Sequence, residues 1–313
     1  MLNNPQREQF IQIFNAIDFN KIIDHPNILI AASFWDEERY CAAKTCYRFM
    51  RTIDDMIDNH KANKRLIAAG EREGFVKNVN DWFKMIFESD DCNNEHIDIV
   101  KVIEKFRIPV WPLEEFSKSM IYDIYNDGFP TLAVFLEYSK GASVAPASIF
   151  VHLSGLTRKD GEYIKPLFDV REAALPCAVF SYLVHIIRDF QKDQFNNLNY
   201  FADDLLTKYG LTRKALSDIA HGSPVTSGFR AMIREYCVVA DEYRNQTREI
   251  MSRISPLMEP AYQLSLEIIF DLYLMVFERI NVEKGSFTSY ELNPTPEETR
   301  KRVYDTILKF PVT

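Results

Sequence analysis

Helical spacing dominates this chain from end to end: apolar positions recur every three or four residues rather than alternating as in a half-buried strand. Over Glu37–Asn59, Tyr40, Ala43, Tyr47, Met50, Ile53 and Ile57 share one face. Ile67–Phe87 repeats the pattern with Phe75, Val79, Trp82 and Ile86. The same spacing predicts helices over Leu113–Asn126 and Leu132–Leu153, separated by an Asp127-Gly128-Phe129-Pro130 turn. Val170–Asp193 reads as one long helix with a kink expected at Pro176. Ser227–Ile254 and Glu259–Asn281 are two more, divided at Ser255-Pro256. A last helix, Pro296–Lys309, has Thr295 in the N-cap position. Ser89–Glu95 reads as a polar loop, too short to link domains, and no repeat or low-complexity tract stands out. The expectation is one all-α domain over residues 1–313.

Composition agrees. Ten glycines in 313 residues is under half the usual share of roughly 7%, which disfavours a turn-rich β fold. A hydrophobic fraction of 47% supplies a sizeable core. The charge balance of 37 basic against 45 acidic residues, net −8, lacks the basic excess of a nucleic-acid binder. Cys41, Cys46, Cys92, Cys177 and Cys237 are odd in number and form no C-x-x-C pair, so neither a disulfide framework nor a structural zinc is expected. Met1–Phe10 is too polar for a signal peptide, and the most apolar stretch, Leu266–Phe277, is interrupted by Glu267 and Asp271. A cytoplasmic protein is expected, with peripheral contact at a membrane left open.

Two segments carry candidate chemistry. Tyr47, Arg51, Asp54, Asp55 and Asp58 sit at offsets 0, 4, 7, 8 and 11, which a helix places on one face. Three clustered carboxylates repel one another and call for a cation. Asp54 and Asp58, one turn apart, suit Mg²⁺, which takes one or two carboxylates and completes its shell with water and substrate phosphate. Alone, such a cluster reads equally well as a solvated acidic face. The second segment places Tyr182, His185, Asp189 and Asp193 at offsets 0, 3, 7 and 11, with Arg188 beside Asp189. It lies in an apolar helix, so this face points inward. Two inward acidic faces suggest a cavity in which carboxylates face each other across a metal-diphosphate. For His185, a buried packing role and a ligand or diphosphate contact stay open together.

At this point the chain resembles the squalene/phytoene synthase family of head-to-head isoprenoid synthases. Tyr47–Asp58 matches that family's Y-x-x-x-R-x-x-D-D-x-x-D, and Arg188–Asp193 its R-D-x-x-x-D, followed by Tyr200 and the Tyr209-Gly210-Leu211 turn. Asp123, Phe129, Thr131 and Tyr138 fall on landmarks between the two, and Tyr273, Ile280 and Phe287 on landmarks after them. The resemblance implies an isoprenoid-synthase fold with a central cavity and condensation of two prenyl diphosphates, C15 or C20, with Mg²⁺. It implies Asp54, Asp55, Asp58, Asp189 and Asp193 as metal ligands. Tyr47, Arg51, Arg188 and Tyr273 would contact diphosphate or steady a carbocation, and His25, His185 and Tyr200 would line the substrate site.

This sequence departs from the family pattern in several places. His185 and Tyr182 stand where the family has Asn and Gln, the serine stretch after His25 is missing, and Leu198 replaces a basic residue. Three other readings are weighed. A prenyl-diphosphate cyclase or hydrolase on the same fold is one; a non-enzymatic assembly or lipid-binding protein is another, disfavoured by intact aspartate clusters. A di-iron bundle is set aside because no Glu stands three residues before any His. No Gly-rich dinucleotide loop is present, and NADPH use is left open.

Overall fold

The computed structural model describes residues 5–20, 27–64, 66–87 and 94–311, the side chains of 94–97 apart. The first helices are α1 (Pro5–Ala16), α2 (Asn27–Ala32), α3 (Glu37–Lys64), α4 (Ala69–Lys84), α5 (Asn94–Phe106) and α6 (Trp111–Tyr125). Then come α7 (Leu132–Ser139), a π-turn (Lys140–Val144) and α8 (Ala145–Gly155), followed by a hairpin of β1 (Thr157–Lys159) and β2 (Glu162–Ile164). The second half holds α9 (Val170–Arg188), α10 (Phe190–Phe195), α11 (Asp203–Lys208), α12 (Arg213–Ala220), α13 (Ser227–Ile254), α14 (Pro260–Arg279), α15 (Ser289–Leu292) and α16 (Pro296–Lys309). The all-α expectation holds, and one continuous apolar core runs from Phe10 on α1 to Phe310 beyond α16.

Three details position the site. First, α3 packs on α2, α4, α5, α6 and α8, while α9 packs on α7, α8, α10, α13, α14 and the π-turn. The shared neighbour α8 therefore carries the two aspartate-bearing helices on either side.

Second, Leu132–Leu153 is not the single α-helix expected. Pro146 lacks an N–H, so the regular ladder cannot pass Ala142, and the chain opens into a wider turn just before it. Gly141 in that turn lies against α6, where a Cβ would stand 2.2 Å from the Glu115 carbonyl oxygen. Only glycine lets the two backbones approach this closely.

Third, the expected long helix over Val170–Asp193 runs through Pro176 and breaks instead at Asp189 (φ −91°, ψ 5°), where α9 gives way to α10.

Other boundaries also move. Ser227–Ile254 and Pro296–Lys309 stand as read, the latter with a full capping box of Thr295 and Glu298. Most of the Ser89–Glu95 loop lies outside the described residues, and Asn94 and Glu95 already belong to α5. The hairpin turns on Asp160-Gly161, both at positive φ, a two-residue signal that helical patterning passes over. By length and composition α9 and α14 are long and apolar enough to cross a membrane, although Arg171 and Glu172 interrupt the first and Glu267 and Asp271 the second, and they pack on each other as core helices.

Candidate active site

The first cluster forms as its spacing requires. On α3, Arg51 reaches one turn forward and binds Asp54 and Asp55 together. Asp58, a further turn along, has no ion-pair partner among the described residues. Burial and then the like charges of Asp54 and Asp123 push its carboxyl up to about 7. Burial likewise raises Asp54; Arg51 opposes this and Asp123 adds to it.

The second cluster is wired differently. Asp189 is 6% exposed, and both its oxygens are held. Arg188 Nε donates to Oδ1 at 2.7 Å and Nη2 to Oδ2 at 2.8 Å, a forked pairing. His185 Nε2 lies 2.8 Å from Oδ2. Burial alone would raise the Asp189 carboxyl, but His185 and Arg188 hold it well below the usual carboxylate range. Asp193 is the mirror case, unpaired like Asp58. Burial, then the charges of Asp189 and Asp58, drive it well above that range.

The charge of Asp58 acts on Asp193, and Asn197 Nδ2, just beyond α10, donates to the Ala62 carbonyl oxygen of α3 at 2.9 Å, so the two acidic segments lie close together. Half-buried Tyr200 senses both charges. At the far side Tyr47 and Tyr273 perform the same bridging. Tyr273, half-buried on α14, feels Arg188, Asp189 and Tyr47; Tyr47 in turn feels Arg51 and Asp54. The structure therefore gathers Tyr47, Arg51, Asp54, Asp58, His185, Arg188, Asp189, Asp193, Tyr200 and Tyr273 around one space. Asp55 joins through Arg51, with its side chain 48% exposed. His25 lies outside the described residues.

The floor of this space is aromatic. Tyr182 stacks on Phe135 at 5.3 Å and 19° and meets Tyr200 edge-on at 6.2 Å. Phe129 stacks on Tyr122 at 5.5 Å and 3° and leans on Tyr138 at 4.9 Å. Negative ring faces suit a cation. Tyr182, which the sequence sets on the second cluster's face and marks as a departure from the family pattern, is a central member of this wall.

Sequence reading also passed over Asp123, Tyr138 and Lys61 as site residues. Tyr138 donates to Asp123 at 2.5 Å, and Lys61 pairs with Asp123 at 3.1 Å. Lys61 shares the Asp54–Asp58 stripe, but a Lys one turn after an Asp reads as an ordinary surface pair.

The donors fit a divalent cation that arrives with its substrate. Among the described residues no three His, Cys, Asp or Glu side chains gather closely enough to cage an ion. Mg²⁺ needs no such cage, since one or two carboxylates and phosphate oxygens suffice. Asp58 and Asp193 are two half-buried carboxylates with no ion-pair partner among the described residues; Lys61 and Arg51 only partly offset the first, Lys192 and Arg188 the second, and a cation would relieve both.

The sequence matches the squalene/phytoene synthase family over residues 26–299. The chain belongs to that family. It is a transferase of the squalene/phytoene synthase type. Solved structures agree in fold. A dehydrosqualene synthase crystallised with a ligand superposes with TM-score 0.65 at 14% identity, covering 96% of this chain and 98% of that one. Squalene synthase HpnC from Alicyclobacillus acidocaldarius gives TM-score 0.65 at 15% identity over 85% of this chain and 92% of its own. YisP from Bacillus subtilis subsp. subtilis strain 168 gives 0.62 at 14% over 97% and 99%. No curated protein sequence matches.

Proposed function

We propose that this squalene/phytoene synthase family member condenses two prenyl diphosphates, C15 or C20, head to head, with Mg²⁺. The observation that carries the reading is the pair of half-buried carboxylates without an ion-pair partner, Asp58 and Asp193, one on each acidic segment, with the charge of Asp58 felt at Asp193. When bound, Mg²⁺ would neutralise the leaving diphosphate. Asp54, Asp55, Asp58, Asp189 and Asp193 would hold it. Arg51, 42% exposed, is free to turn from its aspartates toward the diphosphate, while Arg188 is fixed by Asp189.

The allylic C–O bond then breaks with its electron pair leaving on the diphosphate. The cation forms against Tyr182, Tyr200 and Tyr138, where water is excluded and ring faces stabilise it. The double bond of the second substrate attacks it, and the proton lost passes to the departed diphosphate. His185 would steer Asp189, and Tyr47 and Tyr273 would close the space over the diphosphates.

Incubation with C15 or C20 prenyl diphosphate and Mg²⁺, with and without NADPH, followed by product mass analysis, tests this. A C30 or C40 product is expected. Release of only a prenyl alcohol or a cyclised monomer would replace condensation by ionisation of a single substrate on the same cradle.

A further inference from the structure

The charged stripe of α3 does not end at Asp58. Lys61 follows one turn later, so Asp54, Asp58 and Lys61 occupy offsets 0, 4 and 7 of one face. Lys61 is 6% exposed, a burial that lysine tolerates only when its ammonium is matched by acceptors. Nζ donates to Asp123 Oδ1 at 3.1 Å and to the Asn126 carbonyl oxygen at 3.0 Å. Tyr138 donates to the other oxygen, Oδ2, at 2.5 Å. Both oxygens of Asp123 are therefore taken up by buried donors from α3 and α7.

Asp123 nonetheless belongs to the acidic space, because Tyr138, which binds it, lies 6.4 Å from the Tyr182 ring of the aromatic floor. Its charge bears on Asp54 and Asp58 and on Tyr138, Tyr182 and Tyr200 of the aromatic floor. The cations of this space differ in freedom. Arg51 is 42% exposed in its side chain and can leave its aspartates; the Lys61 side chain is 8% exposed and tied to the end of α6. Without the ammonium, Asp123 would stand beside Asp58 as another unpaired carboxylate, an added ligand for a hard cation.

We propose that Lys61 is a resident counter-ion which keeps Asp123 out of the metal set and so limits how many divalent ions the space takes up. It is a positioning residue that acts through Asp123. The proposal rests on the metal-diphosphate reading above.

The probe is Mn²⁺ with inorganic pyrophosphate, titrated into the full chain at one fixed pH and followed by the spin-resonance signal of free Mn²⁺. Lys61→Met is expected to bind one further Mn²⁺, or to bind Mn²⁺ about tenfold more tightly. Lys61→Met with Asp123→Asn is expected to return to wild-type binding, which a merely structural role of Lys61 would not produce. Unchanged binding in Lys61→Met, or extra binding that persists in the double variant, overturns the proposal. Should Lys61→Met fail to fold, Asp123→Asn leaves the ammonium unpaired and should weaken Mn²⁺ about tenfold; unchanged binding there overturns it equally. Asp58→Asn separates the two ideas. Loss of Mn²⁺ in Asp58→Asn with no effect at Lys61 defeats only the Lys61 proposal. A wild-type protein that takes up no Mn²⁺ defeats both.

Discussion

The two aspartate faces are built from the same residue types at the same one-turn spacing, yet they are held in opposite ways. On α3 the helix is unbroken, and its arginine is half exposed and shared between Asp54 and Asp55. On α9–α10 the helix breaks at Asp189, which is buried and clamped by Arg188 and His185. Each face then leaves its next aspartate, Asp58 or Asp193, without a partner. The first face is adjustable and the second rigid. A carboxylate with a mobile counter-ion can exchange it for a metal, whereas a clamped one fixes where that metal stands.

The largest effect expected from breaking this arrangement is on turnover. Asp54→Asn and Asp189→Asn should each lower activity by about 10²–10³-fold, the scale of removing a preorganised charge from a leaving-group site. Far-ultraviolet circular dichroism should remain helical. The two should part company in stability. Asp189→Asn leaves the largely buried Arg188 unpaired and should cost about 2–4 kcal/mol, while Asp54→Asn should cost under about 1 kcal/mol. Turnover within threefold of wild type for either variant would end the two-face cradle; equal stability losses would end the contrast between the faces.

Next in size is ligand linkage. Mg²⁺ and pyrophosphate together should raise the melting temperature by more than their separate shifts added, because each completes the other's site. At about a hundred times the dissociation constant the gain is about 2.7 kcal/mol. Simple additivity in a thermal-shift titration would argue for separate sites.

The unpaired aspartate gives a pH test. The folded protein holds the Asp58 proton up to about 7, whereas an unfolded chain releases it near 3.9. Between those values the folded state binds more protons, so stability falls as pH rises. The penalty is absent below pH ~4 and fully present above ~7, on the order of 4 kcal/mol. In chelator, Asp58→Asn should therefore melt higher than wild type at pH 8 and level with it at pH 4. A constant gap across that range would show that Asp58 is already neutralised.

The sequence made much of this legible. Periodicity located α3, α13 and α16 because amphipathic faces and a capping box are local signals. The offsets of Asp54, Asp58, Asp189 and Asp193 placed each set on one face. What it could not show was which aspartates would be paired. Arg51 stands three and four residues before the aspartates it binds, a spacing a helix brings together, whereas Arg188 directly precedes Asp189 and pairs with it where the helix breaks. The Lys61–Asp123 pair joins residues 62 positions apart, and no local pattern reports such a contact. Tyr182 reads as one more core aromatic until Phe135, Tyr138 and Tyr200 are seen around it.

The smallest expected effect falls on His185, and it sharpens the contrast most finely. Its ring lies 2.8 Å from Asp189 Oδ2, with the side chain 42% exposed. Arg188 already forks onto the same carboxylate, so His185 is the second hand of the clamp. An asparagine at 185 is shorter and lies too far back along α9 to reach Oδ2 in the same geometry. After discounting for solvent screening, its loss should cost about 0.5–1 kcal/mol, read as a small drop in the urea midpoint with unchanged slope. Asp189 would then be held by Arg188 alone, with one oxygen freer to move. If the clamp fixes where a metal stands, His185→Asn should raise the Mg²⁺ concentration needed for half-maximal turnover several-fold while saturating Mg²⁺ restores most of the rate. A rate loss that no Mg²⁺ concentration recovers would instead place the imidazole on the diphosphate. No change in either quantity would leave Arg188 as the whole clamp.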